Sequence, residues 1–117
     1  MSVVSMIADT IRYDIYRSPE QSLETTVALD AMEANDPRAH LLLVGCPVTV
    51  SIGSDRYGAR IAKCTPSLHT IQVEDMQGER WLTFTRRKRH GHYAGYRSGS
   101  SYSLYFGIAE DHRDPHF

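Results

Sequence analysis

A change of hydrophobic period near residue 44 constrains the fold of this 117-residue chain more than any other feature. Before that point apolar residues recur every three or four positions, which is the spacing of one helix face. After it apolar and polar residues alternate, as they do in a half-buried strand. Helices followed by strands, in a chain of this length, predict one α+β domain over residues 1–117, with a helical part at 1–44 and a β part at 45–117.

Two helices are predicted in the first part. The first covers residues 3–15, with an apolar stripe made of Val3, Val4, Ile7, Ile11 and Ile15. The second begins at Ser18-Pro19, because serine caps free amides and proline suits the first helical position. It runs to about Ala34 and is stopped by Asn35-Asp36-Pro37, because proline disfavours helix in the residue before it. Its predicted buried stripe is Leu23, Val27 and Ala31.

Five or six short strands are predicted in the second part. In the first of them Val48, Val50 and Ile52 alternate with polar residues, and a turn over residues 53–56 follows. The predicted strands cover residues 48–52, 57–64, 69–74, 80–86, 92–96 and 102–108. Short strands at a spacing of about ten residues predict a small antiparallel β-barrel or a strongly curved sheet, with the two helices packed on it.

The charge is divided unevenly along the chain, although the formal total is only −1. Residues 1–44 carry three basic and seven acidic side chains, and residues 45–117 carry ten basic and seven acidic ones. This distribution disfavours coating of long nucleic acid but permits a compact site for one small anion. No apolar run is long enough to cross a bilayer, so we expect no membrane partner.

A run of cations is the densest chemical feature. Arg86-Arg87-Lys88-Arg89-His90 precedes Tyr93 and Arg97, and arginine forks bind phosphate oxygens while tyrosine rings stack on bases. Strand alternation sends Arg86 and Lys88 to one face, which could line a phosphate site. The alternative is a solvated hairpin tip, since charge runs are often surface features. Arg56, in the turn over residues 53–56, would strengthen the first interpretation if it met this run.

Metal and catalytic motifs are weaker. The cysteines Cys46 and Cys64 are 18 residues apart, without the close pairing of a zinc site, so we expect packed free thiols in a reducing cytosol, no metal and no cofactor. The histidines that would have to join the cysteines in a metal site are His90, His92, His112 and His116. No nucleophile motif or phosphate-binding glycine loop is present in the sequence, so we expect a binding protein rather than an enzyme and assign no catalytic residue.

Several short motifs occur in an order that resembles a known family. They are Val48-Thr49-Val50, Ser54-Asp55-Arg56-Tyr57-Gly58, Phe84-Thr85-Arg86-Arg87-Lys88, Gly91 with Tyr93, Leu104-Tyr105-Phe106-Gly107 and Asp114-Pro115-His116-Phe117. This order resembles the phage Thoeris anti-defence sponges, small β-rich proteins that sequester a cyclic ADP-ribose isomer made by bacterial TIR-domain enzymes. The resemblance covers about residues 45–117, and the helical part finds no counterpart.

The resemblance implies a site, a setting and an assembly. It places Arg56 on a phosphate and Phe84 near the adenine, in a homo-oligomer in the cytoplasm of an infected bacterium. Where relatives often carry an arginine after the motif at Gly107, this chain has Ala109 and then Glu110.

We therefore expect a phage counter-defence protein that binds and sequesters a cyclic nucleotide signal without cleaving it. The predicted ligand-binding residues are Arg56, Phe84, Arg86, Lys88, Tyr93 and Arg97. Two alternatives stay open, a small protein-binding inhibitor of a host defence complex and a hydrolase of the nucleotide signal.

Overall fold

A computed structural model describes residues 7–8, 23–90 and 92–106, with the backbone alone at Leu23, His92 and Tyr93. Most of the helix predicted over residues 3–15 lies outside this part of the chain. Its two described residues, Ile7 and Ala8, are helical and fully buried in the main core. Positions after Phe106, Ala109 among them, are outside the described residues as well.

Helix α1 spans Leu23–Glu33 and ends where the sequence predicts. Asn35 takes the left-handed backbone conformation, with φ of 54°. The Asn35 amide donates to the Met32 carbonyl at 3.1 Å and the Asp36 amide donates to the Ala31 carbonyl at 2.9 Å. These two bonds form a Schellman motif, which satisfies the last free carbonyls of the helix.

The stripe predicted for this helix is wrong at Val27, and the side chain of Leu23 is outside the described residues. Val27 is 45% exposed, whereas Thr25, Ala28, Leu29 and Met32 are buried. Spacings of three, four and seven put those four residues on one face, and the face buries the bulk of a leucine and a methionine. Ala31 packs at the edge of the core.

Helix α2 spans Ala39–Leu42 and was not predicted. It lies against the two cysteines of the β part. The Cys64 thiol donates to the His40 carbonyl at 3.4 Å, and the Cys46 thiol donates to the Leu42 carbonyl at 3.5 Å. The short helix therefore closes one end of the β-domain, together with the buried residues of α1.

Six antiparallel strands form a closed barrel in the order β1-β2-β3-β4-β5-β6, with β6 paired back to β1. Their bounds are Pro47–Ile52, Asp55–Cys64, Thr70–Asp75, Arg80–Arg89, His92–Ser98 and Tyr102–Phe106. The predicted α+β fold is thus confirmed, and of the two predicted forms of the sheet the barrel is the one observed. The predicted four-residue turn contracts to Gly53-Ser54, so Asp55 and Arg56 already belong to β2.

The barrel interior is filled by the inward-facing residues of all six strands. Tyr96 is the largest fully buried side chain, and its hydroxyl donates to the Leu68 carbonyl. Its ring meets Phe106 edge to face at 5.7 Å between centroids. The fully buried aliphatic lining comprises Val48, Val50, Ile61, Ile71 and Val73. The alternation seen in the sequence therefore separates this core from the outer face that carries the polar residues.

Candidate functional site

The β4–β5 hairpin extends beyond the end of the barrel. The β3–β4 ladder ends at the Thr70–Thr85 pair, and the β5–β6 ladder at Tyr96–Leu104. Yet β4 and β5 stay paired through Lys88–Tyr93 to Arg89–His92. We call residues 87–90 with 92–94 the hairpin arm, because within the described part of the chain they pair only with each other.

The arm lies in a stretch of one charge sign. Residues 80–106, which make up β4, β5, β6 and their connections, contain six basic residues and no aspartate or glutamate. Three of the six are the arm's own cations, Arg87, Lys88 and Arg89, and all three are exposed. A row of like charges raises the local positive potential and attracts anions.

Register divides the cations between two faces. Arg86 pairs with the buried Tyr96, so it lies on the inner side of the sheet, half-buried at the barrel end. Its guanidinium donates to the Ser67 carbonyl at 3.2 Å and thereby ties down the β2–β3 connection. Lys88 follows on the same side of β4, whereas Arg87 and Arg89 take the outer side. Lys88 is exposed and pairs with Tyr93, whose side chain is outside the described residues.

Arg97 and Arg56 lie on one outward-facing row that runs around the barrel. Arg97 pairs with Ser103, Ser103 with Ser51, and Ser51 with Arg56. Three interstrand steps separate the two arginines, about 14 Å at the usual strand spacing. Arg97 continues the row to Thr85 on β4 and donates to the Ser100 carbonyl at 3.1 Å.

The structure does not bring Arg56 and Arg86 together. Arg56 is exposed on the outer face of β2, while Arg86 faces the inner side of β4. In the closed barrel, β3 separates their two strands, β2 and β4, in one direction, and β5, β6 and β1 separate them in the other. The predicted cations therefore separate into the arm with Arg97 on one side of the barrel and Arg56 on another.

Phe84 is a core residue. Its side chain has no exposed surface and packs in the same cluster as Ile71, its partner on β3. A ring in that position fills the barrel interior and offers no face for a ligand to stack on. We therefore leave Phe84 out of the candidate site.

The sequence-based reasoning missed Tyr105. This ring is 48% exposed on the outer face of β6, two positions from Ser103 in the arginine row. The alternation of the strand could have identified Tyr105 as an outward residue, because its neighbours Leu104 and Phe106 both face the core. Arg87 and Arg89 were also passed over in favour of Arg86 and Lys88.

A second exposed aromatic residue lies at a different end of β4. Trp81 is 39% exposed and meets Tyr57 edge to face at 5.9 Å between centroids. It follows the turn that carries Asp75 and Glu79. This aromatic pair adjoins acidic side chains, so it fits an anionic ligand less well than Tyr105 does.

The thiols are poorly suited to nucleophilic chemistry. Burial raises the pKa of the Cys46 thiol, and burial with a smaller effect from Cys46 raises the pKa of the Cys64 thiol to about 12. Both cysteines are free and buried. Among residues 7–8, 23–90 and 92–106, no three His, Cys, Asp or Glu side chains come close enough to hold a metal ion. His112 and His116 fall outside those ranges.

Comparison with protein-family models, with curated proteins and with solved structures finds no match to this chain. Within the part of the chain that the structure describes, no helix has the length and apolar character needed to cross a membrane.

Proposed function

We propose that this protein binds a small cyclic nucleotide, a cyclic ADP-ribose isomer, on its β4–β5 side and sequesters it without cleaving it. The observation that carries the proposal is the hairpin arm, where Arg87, Lys88 and Arg89 are exposed within a stretch of 27 residues without an acid. The nature of the nucleotide and the setting, an infected bacterial cytoplasm, rest on the family resemblance of the β part.

The chemistry of the arm suits a diphosphate. Each guanidinium offers a planar fork of donors that matches two phosphate oxygens, and the lysine adds a compact charge. Arg97 stands on the outer face beside the arm, so a ligand on that face can meet cations from two strands. Binding would also relieve the repulsion among the arm's own charges.

Capture fits this arrangement better than hydrolysis. Arginine and lysine stay protonated near neutral pH, so they stabilise negative charge but do not accept a proton. The one titratable base described on the arm is His90, which is exposed at its tip. A hydrolase would need His90, or His92 or His112, whose side chains lie outside the described residues, to activate water. The integrity of the bound ligand is therefore the deciding measurement.

A protein-binding role has one observation in its favour. The cations occupy both faces of the arm, with Arg87 and Arg89 on one side and Lys88 on the other. A single small ligand uses one face, whereas an acidic groove on a partner protein could surround both. Inhibition of a host defence protein is therefore the second candidate.

Self-association is part of the proposal. Leu41, Leu42 and Val44 are 59%, 40% and 46% exposed around α2, which offers an apolar surface to a second copy. Light scattering on the purified protein should give a mass above that of one chain, and a mass of one chain at micromolar concentration would contradict this part.

The test incubates the protein with a panel of cyclic ADP-ribose isomers, records its thermal unfolding, and then heats the complex and examines the released ligand by mass spectrometry. Sequestration predicts a raised Tm and recovery of unaltered ligand. Release of a cleaved product would favour the hydrolase. Absence of both stabilisation and ligand recovery, for every isomer, would reject the nucleotide proposals and favour the protein partner.

A further inference from the structure

The outer face of the barrel next to the hairpin arm carries the exposed ring of Tyr105. Tyr105 pairs with Thr49 on β1, and Thr49 is 3% exposed although it faces outward. The ring itself is about half exposed. An outward tyrosine inside an acid-free stretch unites a flat apolar surface with a positive potential, which is what a nucleobase joined to phosphate requires.

The strand beside Tyr105 has no side chain at the matching position. One step beyond the Tyr96–Leu104 pair, Gly95 lies on β5 and Tyr105 on β6. A Cβ built at Gly95 would meet no described atom within 4 Å, so the space above Gly95 is open among the residues that the structure describes. Gly95 also has φ of 92°, a conformation that other residues adopt only under strain.

A β-bulge explains why glycine stands there. Arg86 pairs with Tyr96 and Lys88 with Tyr93, so Ala94 and Gly95 together face the single residue Arg87. Bulges kink a strand and redirect neighbouring side chains, and they are frequent beside binding sites. We call the space above Gly95 the opening; in register it lies between Arg87 on β4 and Tyr105 on β6.

Arg97 completes the surroundings of the opening. Its direct partner on β6 is Ser103, so Tyr105 is its diagonal neighbour at about 7–8 Å between Cα atoms, within reach of two long side chains. Its present hydrogen bond to the Ser100 carbonyl is solvent-exposed, so its guanidinium can turn towards a ligand at small cost.

We propose that Tyr105 is the stacking platform for a nucleobase in the opening above Gly95, with Arg97 and Arg87 holding the phosphates of the same ligand. The inference rests on the proposed nucleotide binding and narrows it, because the site then selects a ligand that has both an aromatic base and a phosphate. A bare phosphate compound would meet the arginines alone.

The experiment measures Kd for cyclic ADP-ribose isomers and for inorganic pyrophosphate, with the native protein, Tyr105→Leu and Tyr105→Phe. Leucine keeps apolar bulk and removes the ring, whereas phenylalanine keeps the ring. Stacking contributes enough that Tyr105→Leu should weaken binding of the nucleotide about 5- to 150-fold. The same variant should leave pyrophosphate binding unchanged, and Tyr105→Phe should bind both ligands as the native protein does.

Proton NMR of the nucleotide supplies a second readout, and in the complex with the native protein this readout does not depend on whether a variant folds. Ring currents should move the adenine resonances upfield in the complex with the native protein and with Tyr105→Phe, and the shift should disappear with Tyr105→Leu. Unshifted adenine resonances in the native complex would overturn the stacking proposal.

The outcomes separate this inference from the function on which it depends. If both ligands bind the native protein and Tyr105→Leu weakens both equally or neither, the stacking role is wrong and anion binding stands. Binding of pyrophosphate with no nucleotide binding would also reject stacking. If neither ligand binds, the proposed function fails, and the inference with it.

Discussion

Replacing the three exposed cations of the hairpin arm with glutamine isolates their contribution to binding from any contribution to folding. Their backbones pair with β5, but the side chains of Arg87, Lys88 and Arg89 form no hydrogen bond or ion pair with the other residues that the structure describes. Glutamine keeps a polar, solvent-compatible side chain, although a shorter one, and removes the positive charge with its extra donors. The variant Arg87→Gln/Lys88→Gln/Arg89→Gln should therefore fold as the native chain does.

The geometry of the arm sets the size of the expected changes in Tm and in ligand affinity. Arg87 and Arg89 share one side of β4, about 6.7 Å apart at Cα, and two unit charges at that distance repel by about 0.6 kcal/mol in water before salt screening. Removing them should raise the Tm slightly or leave it unchanged. Three exposed ionic contacts to a ligand, at about 0.2–1 kcal/mol each, amount to about a 3- to 150-fold loss of affinity.

Isothermal titration with the best-binding cyclic ADP-ribose isomer at two salt concentrations provides the assay. The matched control removes the same charge elsewhere, with Arg38→Gln/Arg60→Gln/Lys63→Gln at three exposed positions away from the arm. The arm variant should lose affinity and most of its salt dependence, and the control should keep both. Equal losses in the two variants would show that net charge, not the arm, governs binding, and would refute the reasoning.

Three further predictions concern the core on which the arm is mounted. Phe84→Ala should cost about 3–5 kcal/mol of unfolding free energy in urea titrations. Its ligand affinity, measured under conditions where the variant is folded, should equal that of the native protein. A selective loss of affinity would show that Phe84 belongs to the binding site. Tyr96→Phe removes the hydroxyl bonded to the Leu68 carbonyl and should cost about 0.5–1.5 kcal/mol, so an unchanged urea midpoint would contradict that bond. Because burial raises the pKa of the Cys64 thiol from 9.0 to about 12, this thiol stabilises the fold fully below pH 9, and its contribution should be lost as pH rises from 9 towards 12. Urea midpoints of the native protein and Cys64→Ala should therefore converge over that range, and a constant difference between them would argue against the shift.

The strands were predictable because their information is local. Val48, Val50 and Ile52 alternate with polar neighbours, and the observed strand β1 begins one residue earlier than predicted. Gly78 marks the β3–β4 turn, where it adopts φ of 87° and its amide donates to the Asp75 carbonyl at 3.0 Å. Each feature depends on residues a few positions apart, so the sequence alone contains it.

Phe84 illustrates a conflict between pattern and resemblance. It shares a strand face with Leu82, and that pattern alone predicts a core position. The family resemblance assigned it to a ligand instead, and the burial observed in the barrel agrees with the pattern. A simple period-2 argument was the better guide to this side chain.

The relation between Arg56 and the basic run was not predictable. It depends on how far the strands are staggered when the barrel closes. The Thr65 amide donates to the Thr70 carbonyl, so Thr65 lies next to Thr70 across the β2–β3 connection. In the other direction around the barrel, the outward-facing partners of Thr70 lead through β4, β5, β6 and β1 to Arg56 on β2. Arg56 is nine residues from Thr65, and this difference is the offset produced by closure. Such an offset results from the closure of all six strands, and no single segment encodes it.

The most direct test of the account is the map of amide chemical shifts in a 15N-labelled sample titrated with cyclic ADP-ribose isomers. Binding at the arm and the adjoining outer face predicts the largest changes at residues 86–89 and 94–97 and at Ser103 and Tyr105. The helices, residues 23–42, should change little. A spectrum that stays unchanged with every isomer, or changes centred on the helices, would contradict the claim that this protein captures its ligand on the β4–β5 side.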